Sequence, residues 1–252
     1  MKLEGKSIIV TGATSGMGKA IAELFIREGA SVILSGRDTE RGLDLVKSLN
    51  EFGKKAVFVK GDISKPEVNA RLVSEALRHF GKLDIIVTNA GNLGIGSVTD
   101  ISLEEWDYTL ATNLNSVFYL SRFAIPELKK TGKGVILINS SIAAFKSFPN
   151  HAAYCASKAA LVALVKEMAL DYGPEIRVNT ICPGPVDTPL IWDSAKAFEN
   201  PESIVQQTAN NTLMKRLGKP EDIASLALFL VSEEASWITG SAFTIDGGIL
   251  TK

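Results

Sequence analysis

Tyr154 and Lys158 stand four residues apart in Tyr154-Cys155-Ala156-Ser157-Lys158. The segment around them (Ala152, Ala153, Ala156, Ala159, Ala160, Leu161, Ala163, Leu164) is rich in helix-favouring alanine and leucine. At that spacing both side chains project from one helical face, so a phenol and an ammonium become neighbours. A free tyrosine titrates at about 10 and does little acid or base work at neutral pH, whereas an adjacent cation favours the phenolate. Each unit of lowering corresponds to about 1.4 kcal/mol of preference for the charged form. A tyrosine so placed can give a proton to a carbonyl or take one from an alcohol. Ser141 closes an apolar run, Val135-Ile136-Leu137-Ile138, that reads as a buried strand. Its hydroxyl is therefore expected at the carboxyl end of that strand, where open α/β sheets bind ligands, and can hold a substrate oxygen. Taken alone, Tyr-x-x-x-Lys also describes an ordinary exposed helix pair, so the elements that carry it must decide.

Those elements alternate. Lys6 to Thr11 is a short apolar run, followed at once by Gly12-Ala13-Thr14-Ser15-Gly16-Met17-Gly18. Beyond the glycines Met17, Ala20, Ile21, Leu24 and Phe25 recur at helical spacing, which gives strand, glycine loop and amphipathic helix in sequence. Such a loop lets the backbone approach a phosphate, and the helix amino terminus supplies free N–H groups and a positive dipole end. The pattern is Gly-x-x-x-Gly-x-Gly and not the commoner Gly-x-Gly-x-x-Gly. Strands are then expected at Ser31–Ser35, Ala56–Val59, Asp84–Val87, Val135–Asn139 and Ile176–Ile181. Helices are expected at Pro66–Phe80, Leu103–Lys130 and Ala152–Tyr172. Ser102 and Glu105 form a capping box for the long helix, Pro126 should bend its last turns, and Gly132 lies past its end. Continuous apolar strands of this kind suit a parallel sheet covered by helices on both faces. One doubly wound α/β domain, 1–252, accounts for the chain. The cofactor half is about 1–92 and the catalytic and substrate half about 93–252.

Composition narrows the function classes. The chain has 252 residues, 46% of them hydrophobic and 22% charged, with a formal net charge of −1. No run of Lys or Arg exceeds two residues, so neither nucleic acid nor a polyanionic surface is an expected partner. The amino terminus has no long apolar segment of the secretory type, and no stretch reaches membrane-spanning length. Cys155 and Cys182 have no metal-ligand spacing and are expected as reduced thiols, with no metal site. A cytoplasmic location follows.

At this point the residues resemble the short-chain dehydrogenase/reductase family in its common form of about 250 residues. The resemblance spans essentially the whole chain. It rests on Thr11-Gly12-x-x-x-Gly16-x-Gly18, Asp62, Asn89-Ala90-Gly91, Asn113, Ser141, Tyr154-x-x-x-Lys158 and Pro183-Gly184, each weak alone and highly specific together. Thr88 departs from the family's frequent Asn-Asn-Ala-Gly but keeps a polar group.

The resemblance implies a seven-stranded Rossmann-type parallel sheet binding NAD(H) or NADP(H). Tyr154 is implied as acid/base, Lys158 as partner of both the tyrosine and the nicotinamide ribose, and Ser141 as the group that polarises the carbonyl. Asn113 is implied to hold a water in a proton relay through Lys158. Ser140 is the rival serine, but the family's thirteen-residue interval to tyrosine selects Ser141. Cofactor contacts are implied for Gly12, Thr14, Ser15, Gly16, Met17, Gly18, Arg37, Asp62, Ile63, Asn89, Ala90, Gly91, Tyr154, Lys158, Pro183, Gly184, Val186 and Thr188. NAD-preferring members carry an acid where this chain has Gly36, with Arg37 next. A guanidinium there attracts a 2′-phosphate, so NADP(H) is favoured over NAD(H). Asn113 as a plain helix-interior residue, Asp62 as a turn cap and Arg37 as a solvated arginine are the bland alternatives.

The function so implied is an NADP(H)-dependent alcohol dehydrogenase or carbonyl reductase acting on a small carbonyl or secondary alcohol. Within the family a 3-oxoacyl carrier-protein reductase and a sugar or steroid dehydrogenase are the alternatives. Outside catalysis, the alternative is an NADP(H)-sensing protein, which has no need of serine, tyrosine and lysine together. Arg122, Lys129 and Lys130 offer thin support for carrier-protein docking. A homotetramer is the family expectation. The stretch 188–213 is implied as a lid, with Leu190, Ile191, Trp192 and Phe198 closing over substrate.

Overall fold

The structure, a computed structural model, describes residues 1–50, 56–196 and 198–251. Seven strands form its sheet: β1 (Ser7–Thr11), β2 (Ser31–Gly36), β3 (Ala56–Lys60), β4 (Ile85–Thr88), β5 (Gly134–Asn139), β6 (Ile176–Pro183) and β7 (Ala242–Ile245). Their order is β3-β2-β1-β4-β5-β6-β7, and every pair is parallel. This is the doubly wound, seven-stranded Rossmann-type sheet the sequence leads one to expect. The register sets Ile8, Ile9 and Val10 opposite Ile85, Ile86 and Val87.

Period-two alternation survives even in the fully buried strands β1, β4 and β5 and divides the core. Ile8 and Val10 belong to one apolar cluster and Ile9 to the other, on opposite faces. The first face is covered by α1 (Gly16–Arg27), α2 (Thr39–Asn50) and α9 (Pro220–Val231), through residues such as Phe25, Leu45 and Leu228. The second is covered by α3 (Pro66–Phe80), α5 (Ser116–Thr131) and α6 (Ala152–Tyr172), through residues such as Leu72, Leu120 and Val165. Apolar periodicity assigned no element between β2 and β3. Helix α2 lies there, with only Gly42, Leu45 and Leu49 buried, too sparse a stripe to stand out.

The long helix expected over Leu103–Lys130 is instead three segments. α4 (Leu103–Leu110) passes through a π turn, Ala111–Asn115, into α5. A π turn inserts one extra residue and resets which side chains face inward, a device found mostly at functional sites. Pro126 lies inside α5, and Gly132 ends it in the left-handed conformation. The capping box at Ser102 is half formed. Ser102 accepts from the Glu105 N–H at 3.1 Å, but the Glu105 carboxylate turns to the Asn92 amide.

The stretch after β6 holds α7 (Pro189–Ala195) and α8 (Pro201–Asn211). Pro189 and Pro201, which suggested interruptions, each open a helix at its first turn, where a missing N–H costs nothing. Among the described residues no helix is long and apolar enough to cross a membrane. Both cysteines are free.

Candidate active site

β1 has β2 on one side and β4 on the other, so the connections leaving β1 and β4 diverge and open a crevice at the carboxyl ends of the strands. The glycine loop floors it. Gly12 has φ +62°, and a side chain there would meet Ala90 Cα at 2.8 Å, so the turn admits only glycine. Gly18 packs beneath the loop against Gly12 and Asn89 and does not line the crevice. Asn89 ties three strand ends together. Its N–H donates to Thr11 Oγ1 at 3.0 Å, its Nδ2 reaches the Thr11 and Gly12 carbonyls at 3.3 Å, and its Oδ1 accepts from Asn139 Nδ2 at 2.8 Å. Its amide thus shapes the cofactor loop, while the residue also lines the cleft beside Ala90 and Gly91.

The polar half of the crevice is a cleft of about 270 Å³ lined by Gly12, Thr14, Ser15, Gly16, Met17, Arg37, Asp62, Ile63, Asn89, Ala90, Gly91 and Thr188. Ser15, at the head of α1, makes no side-chain cap, which leaves that helix's first N–H groups free to meet an anion. Arg37 is exposed at the far end, its Nη1 donating to the Tyr108 hydroxyl at 2.9 Å. A side chain at Gly36 would meet Thr14 Cγ2 at 2.6 Å, so the charge at this corner is carried one residue later. Asp62 Oδ1 accepts from Ser64 N–H at 3.0 Å. It caps its turn and faces the cleft at once. A glycine-built floor, an uncapped helix terminus and a cation at the rim fit a dinucleotide cofactor.

Ser141 and Tyr154 line a second cavity that adjoins this cleft, while Lys158 and Asn113 lie buried beside Gly91 of the cleft wall. Ser141 leaves β5 in extended conformation, and its Oγ accepts from Ala143 N–H at 3.1 Å, which fixes the hydroxyl over the strand end. In that cavity wall the nearby Ser141 hydroxyl favours ionisation of the Tyr154 phenol. Ser140, the rival, is spent on the Lys158 carbonyl at 2.8 Å. In α6 the buried stripe Ala153, Ser157, Leu161 and Val165 seats the helix on the sheet, and this carries Tyr154 and Lys158 to the crevice.

Lys158 is only 4% exposed, and its Nζ donates to the Asn139 carbonyl at 2.9 Å. It lies 5.5 Å from the centre of the Tyr154 ring. Burial lowers the Lys158 ammonium to about 8, with the Cys182 thiol opposing the change. Burial likewise raises the Tyr154 phenol above its ordinary value, against the Ser141 hydroxyl that pulls it down. The sequence expectation of a phenolate favoured by its cation is therefore corrected for the chain on its own. Desolvation outweighs an ammonium that sits against the ring.

Asn113 is buried in the π turn. Its Nδ2 donates to the Asn92 carbonyl at 2.9 Å and to Ser157 Oγ at 3.0 Å, and its Oδ1 accepts from Asn92 N–H at 2.7 Å. Ser157 in turn donates to the Tyr154 carbonyl at 2.8 Å, so Asn113 braces the helix that carries the tyrosine. A Cβ on Gly91 would lie 3.5 Å from Asn113 Oδ1 and 3.8 Å from Lys158 Nζ, which puts both groups on one side of Gly91.

The second cavity, about 230 Å³, is lined mainly by apolar side chains including Leu93, Ile142, Phe148, Ile191, Phe198 and Val205. Pro183, Gly184 and Val186 line this cavity and not the polar cleft, while Met17, Thr188 and Leu190 line both. Of the four apolar residues expected over the substrate, Leu190, Ile191 and Phe198 reach the cavity. Trp192 does not. It is 39% exposed, and its Nε1 donates to Asp187 Oδ1 at 2.9 Å. On a helix the residue after Ile191 turns to a different face.

Sequence reasoning missed His151. This buried ring lines the cavity, 6.2 Å from the Tyr154 ring, and contacts Ser194 of α7 through Nε2 at 3.0 Å. Its signal was available, since it is one of two histidines in the chain and stands three residues before Tyr154. Its partner on α7 was not.

A family model described as enoyl-(acyl carrier protein) reductase matches residues 12–250. An uncharacterized oxidoreductase of Thermotoga maritima is 39% identical over 249 residues, covering 98% of each chain. A 7alpha-hydroxysteroid dehydrogenase of Escherichia coli is also 39% identical over 249 residues, 98% of this chain and 95% of that one. Among solved structures, L-sorbose reductase from Gluconobacter frateurii, complexed with NADPH and L-sorbose, superposes with a TM-score of 0.94. It is 33% identical, with all of both chains covered.

Proposed function

The chain belongs to the short-chain dehydrogenase/reductase family, and on that premise we propose that it is an NADP(H)-dependent oxidoreductase interconverting a carbonyl and a secondary alcohol, with Tyr154 as the acid/base. The observation that carries this reading is the placing of Ser141 and Tyr154 together in the wall of an apolar cavity that adjoins a glycine-floored polar cleft.

Ser141 holds the substrate oxygen by its hydroxyl, and Tyr154 donates its proton to that oxygen in the reducing direction or withdraws it in the oxidising one. A phenol raised by burial is protonated at neutral pH, which suits carbonyl reduction. Lys158 stabilises negative charge that develops on the phenol and, with Asn113 beside Gly91, supports reprotonation through water. Gly12, Gly16, the head of α1 and Arg37 hold the cofactor, with Arg37 on a 2′-phosphate. The nicotinamide, when bound, supplies or takes up the hydride.

The walls favour a substrate with a largely apolar skeleton over a sugar. A polyol would press hydroxyls against Leu93, Ile142 and Phe148 with nothing to receive them. The carrier-protein alternative gains nothing from α5, where Lys130 pairs with Glu127 at 2.7 Å and Lys129 lies 5.3 Å over the Tyr172 ring.

The test offers ketones, aldehydes and secondary alcohols with both nicotinamide cofactors and follows the nicotinamide absorbance. Turnover is expected, with the larger kcat/KM for NADP(H). Tight NADPH binding without turnover of any compound would favour the sensing role instead.

A further inference from the structure

Resting on the reading of the site as a carbonyl/alcohol oxidoreductase, we propose that its substrate is a compact, uncharged hydroxy-ketone, or the matching diol, whose second hydroxyl donates to Ser194, with His151 holding Ser194 in place.

Three side-chain hydroxyls in the cavity wall already have acceptors inside the protein. Ser140 donates to the Lys158 carbonyl at 2.8 Å, Thr188 to the Val186 carbonyl at 3.3 Å and Thr208 to the Ile204 carbonyl at 2.7 Å. Those hydroxyl protons are spent within the protein. Two stations remain in the cavity wall, Ser141 with Tyr154 and His151 with Ser194.

The direction of the second station follows from its partners. His151 Nδ1 lies 2.6 Å from the Pro149 carbonyl, which can only accept, so Nδ1 carries the proton. In the neutral ring Nε2 is then an acceptor, and Ser194 Oγ, at 3.0 Å, must be the donor to it. Ser194 lines the cavity, and no described residue donates to the lone pairs of its hydroxyl. A half-buried acceptor of this kind selects a ligand that brings an O–H.

Charge and size complete the class. Among the described residues no Lys, Arg, Asp or Glu lines the cavity, so neither an acid nor an amine finds a counter-charge there. The His151 and Tyr154 rings are 6.2 Å apart and both sit at the start of α6, so a short skeleton spans from the reacting carbonyl to Ser194. Because Ser194 belongs to α7, a substrate hydroxyl that engages it also fastens that helix over the cavity.

The experiment compares cyclohexanone and butanone with their hydroxylated analogues, reading kcat/KM for each pair with wild type, Ser194→Ala, His151→Phe and Ser194→Thr. In wild type at least one hydroxylated ketone should exceed its parent by about three- to tenfold, mostly in KM. In Ser194→Ala and His151→Phe that ratio should fall to near one, and Ser194→Thr, which keeps the hydroxyl, should restore part of it. A coupling between one substrate hydroxyl and one side chain is not produced by a general loosening of the fold. A ratio near one in wild type, or a ratio untouched by both Ser194→Ala and His151→Phe, overturns the proposal. Turnover of the parent ketones in that case leaves the oxidoreductase reading standing. Failure of every ketone with either cofactor sinks both.

Discussion

The Lys158 ammonium donates at 2.9 Å to the Asn139 carbonyl and lies 5.5 Å from the centre of the Tyr154 ring. It is held by the end of β5 and lies over the tyrosine ring. The pair is thus set by tertiary packing as much as by helical spacing, and its titration follows burial before charge.

Tyr154→Phe removes the proton donor and little packing. Turnover should fall by ~10² to 10⁴, the usual size of a lost general acid, while the cofactor still binds. Initial rates and cofactor titration measure the two quantities. Near-wild-type turnover would remove Tyr154 from the mechanism. Because burial raises the phenol in the free chain, alcohol oxidation should gain more than ketone reduction as pH rises.

Lys158 gives a pH-dependent stability with a definite sign. Its folded value, about 8, lies below its ordinary 10.5, so between those pH values the native chain holds fewer protons than the unfolded one. Stability from this group therefore rises with pH across the window and is lost as pH falls through about 8, by about 3 kcal/mol in full. Urea melts of wild type and Lys158→Met at pH 7 and pH 10 should show the wild type gaining on the variant at the higher pH. Parallel curves would mean the ammonium is not desolvated.

Arg37→Asp should move preference from NADP(H) toward NAD(H), by exchanging a phosphate partner for a ribose-diol acceptor. Loss of a charge-assisted hydrogen bond corresponds to roughly 10- to 100-fold in the ratio of kcat/KM values. The acid belongs at 37 because Thr14 fills the space beside Gly36. A wild type that already prefers NAD(H) would make Arg37 a solvated side chain bonded to Tyr108 and nothing more.

Helices α7 and α8 should behave as a lid. Leu190 and Ile191 on α7, Val205 on α8 and Phe198 between the two helices line the cavity, yet α7 has only Ala195 buried and is tied to the start of α6 by the His151–Ser194 contact. Hydrogen exchange over 188–213 should be fast in the free protein and slow once NADP(H) and a substrate analogue are bound. Equal protection in the two states would leave these helices a fixed wall.

The chain should assemble as a homotetramer. Leu103 on α4, Phe118 on α5, Leu170 on α6 and Trp237 are large apolar side chains at 79%, 50%, 79% and 99% exposure, an arrangement that burial between copies would relieve. Light scattering at micromolar concentration checks it, and a stable monomer would count against it.

The sequence by itself determined what depends on local spacing. The four-residue step from Tyr154 to Lys158 fixes a common helical face, the glycines at 12, 16 and 18 demand a turn without side chains, and apolar runs such as Ile8-Ile9-Val10 specify strands buried on both sides. What only the tertiary structure decided depends on groups distant in the chain. The spacing of Tyr154 and Lys158 suggested a lowered phenol, but burial by surrounding elements raised it, because desolvation is set by everything packed around a group. Helical period gave one element from Leu103 to Lys130, and the π turn that presents Asn113 to Asn92 and Ser157 emerged only from packing. Ser194 lies 43 residues beyond His151, and no local pattern joins them. Their meeting depends on how α7 settles against the start of α6, and the polar end of the cavity exists only once it has.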